Sequence, residues 1–356
     1  MPATLPPFPP RAVRLLRALT EAVAVSGAEG PARRLVRRAL RDFADRITTD
    51  SMGNLFVHRP AEAHRSQRPL RVMLAAHLDE VGFMLTQRTG PGLYRFRPVG
   101  GLQPATALGQ KVWVGPERRV GVIGSAPVHL LKGGARLPAW DDLRIDFGPH
   151  DPPATPGQYA AFATPFRREG DTIFAKALDD RVGVVTLVEL VRHAPPHLDL
   201  WAVFTVQEEV GLRGARIAAH ALQPDLAIAL DCTPARDFVG PDGRPYPFPN
   251  TRLGRGPALY LADRRTISDP RLVRHFRTVA ERYGLPYQLR QAGGGSTDAG
   301  AMHIQAAGIP SLSVSVPARG LHSPVAAMRY ADWRAAFHWL WAALQALTPA
   351  VLEQTP

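Results

Sequence analysis

Five short stretches of this chain place ionisable side chains where a packed core gains nothing from them. The apolar run 72–76 ends in His77 and is followed by Asp79, and the run 200–206 leads into adjacent Glu208 and Glu209. The run 226–230 ends in Asp231, and the run 311–316 leads through a short loop to His322. A fifth stretch, "KALDDR", offers Asp179 and Asp180 just before a long apolar segment. Taken singly, a His or Asp after a strand is a turn former or a helix cap. Four runs delivering imidazoles and carboxylates together are harder to assign to turns. Imidazole plus carboxylate, with cysteine almost absent, suits zinc, cobalt or manganese in a hydrolytic site rather than a structural zinc.

Such a set needs elements that bring the run ends together. "RVMLAAH", "LWAVFTVQ", "LAIALDC" and "SLSVSVP" are apolar stretches of strand length, with helix-like segments between them. Their alternation predicts an α/β fold in three layers, a sheet with helices on both faces. In such sheets ligands bind at the carboxyl ends of the strands, where these residues fall. Phe204 to Gln207 is expected to be extended, sending Glu208 and Glu209 to opposite faces. Residues 11 to 43 read as two helices separated by "VSGAEGP", and "RVGVVTLVELVRH" as a third. The last helix, from about Asp332, sets Trp333, Phe337, Leu340, Trp341 and Leu344 on one stripe, a pattern of core packing.

Residues 85–168 break the alternation. "RFRPVGG", "QKVWVG", "RRVGVIG" and "DLRIDFG" are short strand candidates between Gly, Pro and Asp turns. The reading is a small β-rich domain at 85–168, inserted into a discontinuous catalytic domain formed by 1–84 and 169–356.

Composition narrows the function classes. The chain has 356 residues and a formal net charge of +12. Of its 43 basic residues only Lys111, Lys132 and Lys176 are lysines. The densest stretch, "ARRLVRRALRDFADR", has helical apolar spacing at Leu35, Val36, Ala39, Leu40 and Phe43, so its arginines read as a solvated face. Nucleic-acid binding is not favoured. The single Cys232 rules out an intrachain disulfide and any multi-cysteine cluster. No run reaches the ~18 apolar residues of a membrane span. "MPATLPPFPPRAVR" reads as a proline-rich tail without the apolar segment of a signal peptide, and the expectation is a cytoplasmic protein.

At this level the sequence resembles a known family. "AAHLDEVGFML", "KALDDRVG", "TVQEEVGLRGA", "ALDCT", "GGGSTDAGAMH" and "SVPARGLHSP", with "GVIGSAPVHLL" in the insert, resemble the TET-type dinuclear-metal aminopeptidases. These are co-catalytic zinc exopeptidases that assemble into tetrahedral dodecamers, sometimes labelled glutamyl aminopeptidases or endoglucanases. The resemblance covers nearly the whole chain. It implies a zinc-peptidase-like domain, two divalent ions per subunit (zinc, with cobalt or manganese as alternatives), short peptides as substrates, and a homo-oligomer built from dimers through the insert. Asp179 would bridge the ions, His77 and Asp231 would serve one, and Glu209 and His322 the other. Glu208 would be the general base. Asp79 would stand behind His77 and fix its tautomer. Asp180 would face away, with Arg181 as its partner.

The same resemblance puts the substrate pocket at "AGGGSTDAGAMH". Gly294 and Gly295 would let backbone approach the substrate, with Thr297 and Asp298 opening the next helix. That stretch lacks the ending of a phosphate loop. His303 reads as a helix residue, and the proline-stiffened stretch 236–252 as a border of the pocket. Lys176, rare in an arginine-rich chain, marks a place where an ammonium matters. Two other readings stand beside the aminopeptidase: a dinuclear-metal deacylase of amino-acid derivatives, and a non-catalytic assembly or nucleic-acid-binding protein. A glycosidase does not fit, because adjacent glutamates do not flank one bond and the histidines would be idle.

Overall fold

The computed structural model describes residues 4–62, 68–126, 137–149, 154–240, 242–244, 250–290 and 293–355. Part of "GVIGSAPVHLL", part of the 236–252 stretch and Lys132 lie outside them. The described strands form one large mixed sheet and one closed barrel. At the centre of the sheet, strands Asp199–Thr205, Arg71–His77, Leu226–Pro234 and Ser311–Arg319 run parallel as neighbours. Thr205 pairs with His77, and Asp231 with Ser315, so the carboxyl ends of all four strands lie along one edge.

These strands alternate between two covered faces, the signature of a sheet buried on both sides. Val72, Leu74, Ala76, Ala202, Phe204, Ile228 and Leu230 pack with the helices on one face. Met73, Ala75, Val203, Ala227 and Ala229 pack with helix Arg213–Leu222 and the short helix Ala299–Met302 on the other. Helix Leu178–Arg192 is buried almost all round because helices Pro10–Thr20 and Tyr330–Ala346 both pack on it. Trp333 of that helix donates its indole N–H to Thr186 Oγ1 at 2.9 Å. The proline-rich start is not a free tail. Leu5 and Phe8 pack on this core, with the Phe8 ring set edge-on to Trp333 at 4.8 Å.

The barrel uses strands Gly82–Gly90, Leu93–Val99, Lys111–Val114, Arg119–Gly124, Arg144–Asp146 and Tyr159–Phe162. Phe83, Phe96 and Phe162 meet edge to face inside it. Its first strand starts at Gly82 rather than near 85, because the chain crosses from the sheet within a few residues of His77. Only glycine fits there: a Cβ on Gly82 would lie 2.5 Å from both Ala160 O and Val25 Cγ2. The hairpin Arg167–Glu169 and Thr172–Ala175 belongs to the far edge of the main sheet, against Ala326–Arg329, so the insert closes before 168.

The segment after Thr205 is held by Asn54, which is buried. Its Oδ1 accepts from Val206 N at 3.0 Å, and its Nδ2 donates to Gly214 O at 3.1 Å and Asp50 Oδ2 at 2.7 Å. Gly214 is in the first turn of its helix, where a Cβ would lie 2.5 Å from Val206 O. In an open helix, exchanging Gly for Ala stabilises by about 1 kcal/mol. Here Gly214→Ala is expected to have the opposite sign, a loss of roughly 1–3 kcal/mol as overpacking against backbone. Urea denaturation of the two proteins measures it, and a gain in stability would refute the clamp.

Candidate metal centre

His77 closes its strand, and its ring is buried. Its Nε2 faces Asp179 Oδ1 at 3.2 Å, Asp231 Oδ1 at 3.9 Å and Glu208 Oε2 at 4.0 Å. His322 Nε2 faces Glu209 Oε2 at 3.2 Å and Asp179 Oδ2 at 3.5 Å. The two oxygens of Asp179 thus look at different imidazoles. His322 Nδ1 is 3.1 Å from Gly101 O, which only accepts, so that nitrogen carries the hydrogen and Nε2 turns to the cluster. Asp231 is inside its strand rather than at the end. Pairing with Arg71–His77 stops at Ala229, while pairing with Ser311–Arg319 runs on past it.

Glu208 and Glu209 are not on an extended strand as expected. The strand stops at Thr205, and Gln207 takes a left-handed φ of 56°. The cause is Asp79, fully buried, which accepts from Glu208 N through Oδ1 and Glu209 N through Oδ2, both at 3.1 Å. Consecutive amides alternate sides in a strand and cannot both reach one carboxylate. A turn can do it, and this one closes with Gly211 N and Leu212 N both on Glu208 O. Asp79 also accepts from Ser26 Oγ at 2.6 Å, and its Oδ1 is 3.5 Å from His77 Nδ1.

Four carboxylates face each other here, and among the described residues their only ion-pair partners are the two histidines. Burial pushes Glu208 and Asp231 well above the usual carboxylate range, with neighbouring acids adding to the effect. Burial also opposes the charge on Asp179, but His322 and His77 outweigh it and hold this group low. His322 responds in kind: burial opposes its proton, yet Asp179 and Glu209 raise its pKa to about 11. The cluster therefore demands positive charge at its centre. Two divalent cations suit that demand and the hard oxygen and imidazole donors. One group of donor atoms within 4.8 Å of one another is His77, Asp179 and Glu209, and a second is His77, Asp180 and Asp231.

Comparison with known proteins gives the family. Residues 53–338 match the family model described as M42 glutamyl aminopeptidase. The chain belongs to the M42 glutamyl aminopeptidase family. It is a peptide hydrolase, a metal-dependent aminopeptidase. It is 34% identical over 328 residues to the glutamyl aminopeptidase of Lactococcus lactis, covering 86% of this chain and 88% of that one. It is 33% identical over 330 residues to the lysyl aminopeptidase of Pyrococcus furiosus, covering 87% and 90%. Among solved structures, the TET1 peptidase of Pyrococcus horikoshii, described as assembling into a tetrahedron or a large octahedral shell, matches with a TM-score of 0.82. The identity there is 32%, covering 94% of this chain and all of that one.

Within this M42 site other residues depart from expectation. Asp180 does not turn away to Arg181. Its carboxyl accepts from Gly183 N at 3.0 Å and His77 N at 3.3 Å, close beneath the cluster, and burial pushes its pKa well up. Arg181 instead meets Glu80 at 3.5 Å. Glu80 also receives Lys176 Nζ at 2.6 and 2.8 Å, which shows where the rare ammonium is spent. Gly294 and Gly295 line the cavity beside the cluster, but Thr297 and Asp298 do not. Thr297 Oγ1 bonds Ser313 Oγ at 2.6 Å, and Asp298 accepts from Thr205 Oγ1 at 2.5 Å, so both fasten the loop to the sheet. His303 caps the short helix Ala299–Met302, its ring on Ala299 O. Ser26 and Glu80 escaped the sequence reading. Ser26 is one small residue in a loop, and Glu80 is hidden in "HLDE" beside stronger candidates.

Asp79→Asn replaces one acceptor oxygen by a donor facing amides and a hydroxyl. The expected result is a loss of about 1.5–3 kcal/mol in folding stability, the scale of one charged hydrogen bond. Divalent-ion affinity should fall roughly 10–100-fold, as for other residues that orient a ligating histidine. Denaturation and equilibrium dialysis measure the two, and unchanged ion affinity would remove Asp79 from the site.

Proposed function

We propose that this M42 protein releases N-terminal residues from short peptides with two divalent ions, zinc first and cobalt or manganese as alternatives. The observation that carries the proposal is Asp179 standing between His77 Nε2 and His322 Nε2 at 3.2 and 3.5 Å, each imidazole with a carboxylate of its own. In this reading Asp179 is shared, His77 and Asp231 hold one ion, and His322 and Glu209 hold the other. Bound there, the ions would supply Lewis-acid polarisation of the scissile carbonyl and a water of lowered pKa. Glu208 makes no close bond to either imidazole, which leaves its Oε2 free to take a proton and return it to the leaving amine. Asp79 keeps the His77 ring oriented and fixes the amides of both glutamates. Gly294 and Gly295 let substrate backbone pass close to the cavity wall.

The same reading extends to a homo-oligomer assembled through the barrel. Val120 and Val122, 55% and 40% exposed, point outward from strand Arg119–Gly124 while Ile123 fills the barrel core. Leu137 is 79% exposed. An outward apolar strand of this kind is a site for subunit contact. A dimer or a dodecamer is expected by light scattering at micromolar concentration, and a monomer there would reject it. No described helix is long and apolar enough to cross a membrane.

Three substitutions separate the roles, each assayed on aminoacyl-p-nitroanilides beside their N-acetylated forms. Glu208→Gln should keep both ions and lose turnover by about 10²–10⁴-fold, the usual worth of a general base. Asp179→Asn should weaken both ions together, and Glu209→Gln chiefly one. Metal content by plasma emission spectroscopy reads the difference. Loss of metal in Glu208→Gln would overturn its role, and equal p-nitroaniline release from the acetylated compounds would reject the requirement for a free α-amine.

A further inference from the structure

The loop "VSGAEGP" between the first two helices carries a buried acid that stands outside the acidic cluster. Glu29 is 4% exposed and forms no ion pair among the described residues. It occupies the N-cap of helix Gly30–Ala39, yet its side chain caps nothing there. Its Oε1 instead turns back, accepting from Gly27 N at 2.7 Å and from Gln207 N at 3.2 Å, 178 residues away in sequence. Burial raises the Glu29 pKa, and the Gly27 amide opposes the rise. A buried carboxylate is costly unless it is bonded, so the bond to Gln207 is the informative one. Gln207 directly precedes Glu208.

From Thr205 to Glu209 four successive peptide units are each bonded at both ends. Leu78 N donates to Thr205 O at 2.7 Å, while Val206 N donates to Asn54 Oδ1 at 3.0 Å. Gly214 N donates to Val206 O at 3.0 Å, while Gln207 N goes to Glu29. Arg213 N donates to Gln207 O at 3.2 Å, and Gly211 N and Leu212 N both donate to Glu208 O at 2.9 Å. The amides of Glu208 and Glu209 go to Asp79. The carbonyls are thus held largely by amides at the start of helix Arg213–Leu222, which have no partner inside it. The N–H groups are held by three side chains from three separate segments. Between them Gln207 has its left-handed φ of 56°, which a residue with a Cβ adopts only under constraint. Glu29 supplies that constraint on the N–H of the Val206–Gln207 peptide.

We propose that Glu29 is a positioning residue for Glu208, acting through the amide of Gln207. The proposal rests on the reading of Glu208 as the general base. Asp79 holds the Glu208 amide but not the peptide before it. Without Glu29 that peptide keeps only the bond from Gly214 and is free to rotate, taking Gln207 back to negative φ. The Cα of Glu208 then moves, and its carboxylate with it. Glu209 depends on this less, because its amide stays on Asp79 and its carboxylate faces His322 Nε2 at 3.2 Å. The role of Glu29 is geometric, with an oxygen that accepts and no proton to move. Misplacing a reacting group by about 1 Å costs on the order of 100-fold in rate.

The test is a double-mutant cycle with Glu208→Gln, run on the best-cleaved aminoacyl-p-nitroanilide and the most activating of zinc, cobalt and manganese. Glu29→Ala should lower kcat by roughly 10–100-fold, with KM and metal content close to those of the parent. Glu29→Gln keeps a carbonyl for both amides and should retain most of kcat. In the Glu208→Gln background Glu29→Ala should cost almost nothing further, because the side chain it positions no longer carries a proton. Glu29→Met fills the space without an acceptor and goes through the same cycle, in case Glu29→Ala does not fold. An equal fold-loss in both backgrounds makes Glu29 a general support of the fold and overturns the proposal. Full kcat in Glu29→Ala and Glu29→Met overturns it as well, as does Glu29→Gln being as slow as either. If neither Glu29→Ala nor Glu29→Met folds, Glu29 serves the fold and the proposal fails. Full turnover in Glu208→Gln alone removes the general base itself, and the proposal falls with that reading.

Discussion

The carboxylate of Asp79 is where the parts of this fold meet. It is fully buried and is bonded by a hydroxyl from the loop between the first two helices and by two amides from the turn after the second central strand. Its remaining neighbour is the Nδ1 side of His77. Burial opposes ionisation, yet His77 and Ser26 outweigh it and hold the group below the usual carboxylate range. An ionised carboxylate can accept from all of these donors at once, which a neutral side chain of the same size cannot. The shape of the Glu208–Glu209 turn follows from that charge. The same charge lies 3.5 Å from His77 Nδ1, which favours a hydrogen on that nitrogen and leaves Nε2 to the cluster.

Under this point lies a second charged layer. Glu80, three residues after His77, is answered by Lys176 and Arg181 from the segment that carries Asp179. Lys176 Nζ also donates to Ala22 O, and Arg181 Nη2 to Ala24 O. Burial lowers the Lys176 pKa to about 8, with Glu80 resisting. Buried pairs of this kind add little net stability, since desolvation offsets attraction. Their effect is registry. The segment after His77 and the segment before helix Leu178–Arg192 are tied to each other and to the first helical hairpin. Asp179 and His77 consequently approach from separate elements without either being free to drift.

The fold was legible because period and turn chemistry agree along most of the chain. Four apolar runs without alternation, each ending in a polar residue, predict buried parallel strands, and the structure has them side by side. The short strands of 95–146 were readable from their glycine turns, whereas the hairpin at Arg167–Ala175 was not. Two strands that short carry no pattern to show which sheet they join. At the site, residue types were visible but backbone direction was not. A carboxylate distant in sequence bends the Glu208–Glu209 segment, and nothing local announces it. Thr297 and Asp298 misled for a related reason: a polar pair after glycines suits a pocket wall as well as a buried bolt.

The barrel is not an appendage to this arrangement. Gly101, just after its second strand, accepts from His322 Nδ1, and so it selects the tautomer that turns Nε2 toward Glu209 and Asp179. Its neighbour Gly100, at a φ of 83°, packs where a Cβ would be 2.8 Å from Val81 Cγ1 and 3.4 Å from Glu209 Cβ. Only glycine meets both the left-handed backbone and the closeness. His77 is fixed from within the sheet by Asp79, but His322 sits on an exposed loop at a left-handed φ of 54° and has no such support there. Its orientation depends on a carbonyl from the barrel. One half of the site is therefore set by the core of the α/β domain, and the other half by how the barrel seats against it.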